Sequence, residues 1–200
     1  MKILIIGGSG TIGRVVSRYF SKKHNVITAG RKSGEEVVDI ASSESIETLF
    51  KKIGPLDAII CAAGEAKWAP FNDLSEDDYY IGIRSKLMGQ VNLVRIGKNY
   101  LNPNGSITLT TGILADDPVI MTASAAMVNG AIHSFVKAVV LELDNGIRIN
   151  AVSSGLVEEA LDKYGDYFPG HNPIPMDKML MGYIRSVEGK ANGEIIRIYD

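Results

Sequence analysis

The sequence has a single cysteine, Cys61, in 200 residues, so no intramolecular disulfide framework can hold the fold together. It has no excess of basic charge. With 21 Lys and Arg against 23 Asp and Glu, the net charge is −2, which offers no field for a nucleic-acid backbone. No block of like charges marks a tail. No apolar run approaches the ~18 residues that a membrane span needs. Lys2 and the run Ile3–Ile6 resemble the start of a signal peptide only faintly, because the run is short and leads into glycines; it reads as a strand. No grouping of ligand side chains suggests a metal site. These absences leave a cytoplasmic protein with neither nucleic-acid nor membrane partner. The length suits a single domain, residues 1–200.

What is present begins at the N-terminus. Ile3-Leu4-Ile5-Ile6 shows no polar alternation, as expected of a strand buried on both faces. Gly7-Gly8-Ser9-Gly10-Thr11-Ile12-Gly13 follows, satisfying both G-x-G-x-x-G and G-x-x-G-x-x-G. Val15, Val16, Tyr19 and Phe20 then recur at helical spacing. A strand, a glycine loop and a helix form a pyrophosphate site for a physical reason. Glycine lets the backbone approach the phosphate, and the helix start presents free N–H groups at the positive end of its dipole.

Strands and helices alternate to the end of the chain. Strands are expected at Val26–Ala29, Val37–Ile40, Asp57–Cys61, Ser106–Thr110, Ile147–Val152 and Glu194–Tyr199. Helices are expected at Ser43–Ile53, from Ser75 to about Leu101, at Ser124–Leu143 and at Met176–Val187. Ser75 followed by Glu76, Asp77 and Asp78 is a capping hydroxyl followed by first-turn acid. Gly165–Pro175 reads as an irregular loop. This order predicts an α/β Rossmann fold: a doubly wound, seven-stranded parallel sheet with helices on both faces.

The end of the second strand sets the cofactor. An acidic residue there suits the ribose of NAD, whereas an arginine suits the 2′-phosphate of NADP. Here the residues are Gly30-Arg31-Lys32-Ser33, with Glu35 and Glu36 only afterwards. Arg31 can grip a phosphate bidentately, assisted by Lys32 and Ser33, so NADP is expected over NAD.

The chain resembles the short-chain dehydrogenase/reductase family over nearly its whole length. The glycine loop matches the family's. Asp39-Ile40 looks like its adenine-contacting pair, and Cys61-Ala62-Ala63-Gly64 like its Asn-Asn-Ala-Gly strand end with both Asn replaced. Ile147-Arg148-Ile149-Asn150-Ala151-Val152-Ser153-Ser154-Gly155 is similar to its "IRVNAVSPG" stretch, with Ser154 in place of Pro. The resemblance implies cofactor contacts at Gly7, Ser9, Gly10, Thr11, Ile12, Gly13, Asp39, Ile40, Ala62, Ala63, Gly64, Gly155, Leu156 and Val157. It also implies a homodimer or homotetramer, through small residues such as Ala123, Ala126 and Gly130 on the long helix.

The family's active-site Tyr and Lys fall on Ala125 and Asn129, its Ser on Gly112 and its Asn on Lys86. No Tyr occurs between Tyr100 and Tyr164, so no shift of register restores the motif. The chain therefore looks like a divergent short subgroup that keeps the loop and lacks the usual Ser/Tyr/Lys site. Losing a positioned general acid costs about 10²–10⁴-fold. Three residues are candidates to stand in: Lys86 as a cationic donor, Thr111 as a hydroxyl and Asn129 as an amide holding the ribose. His133 reads as a packing residue, and His171, in the aromatic loop with Tyr164, Tyr167 and Phe168, as a substrate-side candidate. Two functions follow: an NADP(H)-dependent oxidoreductase of unknown substrate with an atypical site, or a catalytically inactive NADP(H)-binding sensor or partner protein. A fold relative using the cleft for another ligand is a weaker third.

Overall fold

Apolar strands buried on both faces force a layered architecture. The computed structural model describes residues 1–199. Its strands are β1 Lys2–Ile6, β2 Asn25–Gly30, β3 Glu36–Val37, β4 Leu56–Cys61, β5 Leu101–Gly112, β6 Arg148–Ser154 and β7 Ile195–Ile198. They form one parallel sheet in the order β3-β2-β1-β4-β5-β6-β7. The seven-stranded Rossmann architecture read from the sequence is therefore present. The order reverses between β1 and β4, and this switch point is where doubly wound folds open a crevice.

The helices are α1 Thr11–Phe20, α2 Ser43–Ile53, α3 Glu76–Gly82, α4 Gly89–Gly97, α5 Ala123–Val139, α6 Leu161–Tyr164 and α7 Met176–Val187. Side chains alternate across each strand. Leu4 and Ile6 therefore join a core with residues of α2, α4 and α5, while Ile3 and Ile5 join another with residues of α1 and α7. All four are essentially inaccessible to water. Each such side chain contributes about 1.5–3 kcal/mol. A smaller cluster at the carboxyl edge holds Ile113, Leu114, Ala125, Leu156 and Phe168.

Five expectations are corrected. The third strand is only Glu36–Val37, because Val38 and Ile40 turn inward while Asp39 caps a turn through its carboxylate and the Ala41 N–H. The helix from Ser75 is not continuous: a π-helical segment, Ile83–Met88, separates α3 from α4. Its Ser75–Asp78 capping box is present. β5 begins at Leu101, and Gly165–Tyr167 is a short 3₁₀ turn following α6 rather than unbroken loop. Finally, residues 123–142 are long and apolar enough to cross a membrane by composition, with mean hydropathy 1.4. That stretch packs on the sheet, with Val128, Ile132 and Val136 fully buried.

The glycine loop is sterically required. Gly7 has φ +82°, and a Cβ on it would lie 2.5 Å from the Ala62 carbonyl oxygen. A Cβ on Gly13 would run into the Gly7 carbonyl oxygen, which is backbone and cannot step aside. Gly13→Ala is therefore expected to cost about 1–3 kcal/mol, the range for overpacking. Urea denaturation monitors this, and an unchanged midpoint would mean that the loop yields.

Candidate functional site

The glycine loop joins the carboxyl end of β1 to α1. Gly10 is extended at the N-cap, with no side chain capping the helix and no acid in its first turn. The first-turn N–H groups of α1 therefore have no local acceptor from a cap, leaving them for an anion. Two cavities flank this loop.

The first holds about 210 Å³ and is lined by Ile6, Gly30, Arg31, Asp39, Ile40, Ala63 and Gly64, with Val38, Glu65 and Ser85. It gathers residues expected on the cofactor from three separate stretches of chain: Arg31, Asp39 with Ile40, and Ala63 with Gly64. Arg31 Nη1 lies 3.5 Å from Glu65 Oε1, both side chains being well exposed. Such a pair is worth about 0–1 kcal/mol, little against a phosphate dianion. Ser9 Oγ and Ser33 Oγ are 2.6 Å apart, which ties the glycine loop to the turn after β2. Glu35 folds back, its carboxylate accepting from the Thr28 N–H at 3.3 Å and its N–H donating to Thr28 Oγ1. Lys32 is exposed and lines neither cavity. Ala62 also lines neither; its carbonyl packs against Gly7 and so holds the loop.

The second cavity holds about 180 Å³. Ile12 of the loop, Thr111 and Gly112 of β5, Ser154 at the end of β6, and Gly155, Leu156 and Val157 after it form its inner wall. Trp68, Tyr164 and Phe168 form the outer wall, with ring centroids 4.9 Å apart for Trp68–Tyr164 and 6.5 Å for Trp68–Phe168. His171 is not in this wall. It stacks edge-on against Phe168, sits 3.6 Å from Asp117, and lines a neighbouring hollow with Pro118 and Ile120. The substrate-side expectation for His171 is thus corrected, because the loop turns at Phe168 and carries His171 outward.

Thr111 is buried, and its Oγ1 lies 2.8 Å from His133 Nε2. Sequence reasoning assigned His133 to packing. The pair was invisible there because β5 and α5 bring together residues 22 positions apart. Burial lowers the His133 pKa, with Asp116 pulling weakly the other way, so the imidazole is neutral at pH 7. One turn earlier on α5, Asn129 is buried, and its Oδ1 has no hydrogen-bond partner. Asn129 lines neither cavity, although its Nδ2 lies near Gly112, which lines the second.

Lys86 lies in the π segment, and segments of that kind recur at functional sites. The segment presses the Lys86 backbone and stem against Gly64: a Cβ on Gly64 would lie 2.8 Å from the Lys86 Cα. The residue is half-buried, yet its ammonium is sunk deeply enough that desolvation pulls its pKa down to about 8. Among the described residues no carboxylate stands within ion-pair distance of it. Its neighbour Cys61 is pushed up to about 11 by burial and stays a neutral thiol at pH 7. Beyond His133, Asp116 takes a bidentate hold from Arg197 and a hydrogen bond from Tyr199, and its pKa falls to about 2. Among the described residues no cluster of three His, Cys, Asp or Glu is placed for a metal.

These features define the class: a Rossmann-type α/β protein whose cleft opens around a glycine loop at the carboxyl edge of the sheet. A family model described as enoyl-(acyl carrier protein) reductase matches residues 13–172. The chain belongs to that family, within the short-chain dehydrogenases/reductases, and is an oxidoreductase of that type. It is 28% identical, over 199 residues, to the short-chain dehydrogenase/reductase ATR9 of Stachybotrys chlorohalonatus, covering 80% of this chain and 78% of that protein. The dihydropteridine reductase of Dictyostelium discoideum is 26% identical over 176 residues, covering 80% and 74%. Among solved structures, protein lin1944 of Listeria innocua superimposes over the full length of both chains with a TM-score of 0.97 at 45% identity. A small-chain dehydrogenase in complex with NADPH superimposes with a TM-score of 0.88 at 27% identity, covering 100% of this chain and 96% of that one.

Proposed function

We propose that the protein is an NADP(H)-dependent carbonyl reductase with a rebuilt active site, belonging to a divergent subgroup without the usual Ser/Tyr/Lys residues. The observation that carries this reading is the pair of cavities flanking one glycine loop. One cavity is edged by Arg31, held at the strand end only by an exposed pairing with Glu65, and the other is floored by a buried hydroxyl. The chain's residues fit the cofactor. The uncapped start of α1 suits the pyrophosphate, the first cavity suits the adenosine, and the orphaned Asn129 Oδ1 suits a ribose hydroxyl. The NADPH bound in a relative that shares 27% of its sequence supports the same choice.

NADPH, when bound, supplies a hydride to a carbonyl carbon. The protein must then steady the oxygen and protonate it. Thr111 donates its hydroxyl to the developing oxyanion. Lys86 carries the positive charge and the proton, and a pKa near 8 makes it a better acid than an exposed lysine. Exposed Ile81, Met88 and Met127 on neighbouring helices support a homodimer or homotetramer.

The test is a calorimetric titration with NADPH and with NADH. A charge-assisted contact is worth about 1.5–3 kcal/mol, so Arg31→Ala should weaken NADPH binding about 10–100-fold and leave NADH unchanged. Equal binding of both nucleotides by the wild type would remove the NADP assignment. NADPH binding without turnover of any carbonyl would favour the sensor reading, for which the replacement of the family's Tyr and Lys by Ala125 and Asn129 argues.

A further inference from the structure

We infer that the substrate is an uncharged, flat carbonyl compound, an aromatic or conjugated ketone or aldehyde, received between Thr111 and Trp68; this rests on the carbonyl-reductase reading. None of the thirteen residues that line the second cavity carries a charge. A carboxylate or phosphate lodged against this wall, away from the carbonyl oxygen that Lys86 serves, would lose water and gain no counter-ion from the wall. Specificity against anionic carbonyls is therefore built in by omission.

The outer wall gives the shape. Trp68 and Tyr164 are tilted 41° to each other, and Phe168 closes the cluster. Such a wall offers ring faces and edges, which suit a flat unsaturated ligand better than a branched polar one. The inner wall gives the orientation. Ser154 Oγ already donates to the Gly155 carbonyl at 2.8 Å. Of the strand-end hydroxyls lining the cavity, Thr111 is thus the one left for a carbonyl oxygen, held against His133 from behind.

The reaction is a two-electron reduction. The carbonyl π bond breaks as a C–H bond forms with the hydride from the reduced nicotinamide. The oxygen takes a proton, and the products are a secondary or primary alcohol and the oxidised nicotinamide.

The chain carries its own reporter, since Trp68 is its one tryptophan and lines the cavity. The experiment titrates the full chain, saturated with NADP⁺, with acetophenone and with 4-acetylbenzoate, and follows Trp68 emission. Saturable quenching by acetophenone is expected, with the carboxylate weaker by about tenfold or more. Tyr164→Ala should weaken acetophenone about tenfold with NADPH affinity unchanged. Equal or tighter binding of the carboxylate overturns the inference. So does quenching by neither ketone in protein that binds NADPH, which leaves the cofactor reading standing. Failure to bind NADPH overturns both, and it is read separately from the Trp68 signal.

Discussion

Lys86→Met should lower turnover about 10²–10³-fold, leave NADPH affinity unchanged and make the protein more stable. The three effects share one cause. The Lys86 ammonium is withdrawn from water, no carboxylate among the described residues answers it, and the neighbouring Cys61 thiol is neutral. Holding that charge in the folded state at pH 7 costs up to about 3 kcal/mol, from a pKa lowered from 10.5 to about 8. Methionine fills similar volume without the charge, so the penalty disappears. A structural lysine would behave in the opposite way, its removal destabilising the fold. The pH dependence has a fixed sign. The protonated amine is the acid, so kcat/KM for reduction is maximal below pH 8 and falls as pH rises through that value. Lys86→Arg keeps the charge at all accessible pH values and should abolish the inflection. Steady-state kinetics across pH 6–10 and urea midpoints for the three proteins decide the matter. Undiminished turnover in Lys86→Met, or a flat wild-type profile across pH 8, would remove Lys86 from the chemistry.

The fold was legible because its signals are local. Ile3–Ile6 is apolar on both faces, and a strand buried on both faces sits at the centre of a parallel sheet, where β1 lies between β2 and β4. The cofactor half of the cleft was legible in part for the same reason. Gly7, Gly13 and Arg31 follow strand ends at short fixed distances, and strand ends converge on one edge. Lys32 and Ala62 also follow strand ends, but which side of the backbone each faces depends on the turns after β2 and β4, and neither lines a cavity. The substrate half was less legible. The π segment adds residues to a turn without changing the apolar pattern, so a continuous helix was expected where the backbone re-aims Lys86. Trp68 and Tyr164 belong to segments with no regular spacing between them, and only the packed loops bring the rings to 4.9 Å. His133 shows how a helix position read as packing gains a polar partner from across the sheet. On the helix it is one more inward residue, but across the sheet it meets Thr111.

Thr111→Val should lower kcat about 10²–10³-fold with little change in KM, whereas Thr111→Ser should stay within about tenfold of the wild type. Valine has nearly the shape of threonine, so the cavity wall is retained and only the hydroxyl is lost. That hydroxyl serves two partners. His133 Nε2 lies 2.8 Å away, and the Val152 carbonyl, at 3.5 Å, is a longer alternative. When the neutral imidazole carries its proton on Nε2, it donates to Thr111 Oγ1 and fills a lone pair. The Thr111 hydrogen is then free to turn from the Val152 carbonyl into the cavity. His133 is in this sense a positioning residue that acts through Thr111. The groups around His133 are Asp116, Arg197, Lys137 and Lys86; burial, helped by the three cations, outweighs Asp116 and keeps it uncharged. Removing the hydroxyl also strands Nε2 in the interior, and a buried unpaired donor costs about 1–3 kcal/mol. Thr111→Val should thus lose both stability and turnover, whereas Lys86→Met gains the one and loses the other. His133→Gln keeps a donor of similar reach and should preserve most of kcat, while His133→Phe should not. If Thr111→Val turned over within twofold of the wild type, the oxyanion would have to be held elsewhere in the cavity, and the hydroxyl's partnership with His133 would be structural alone.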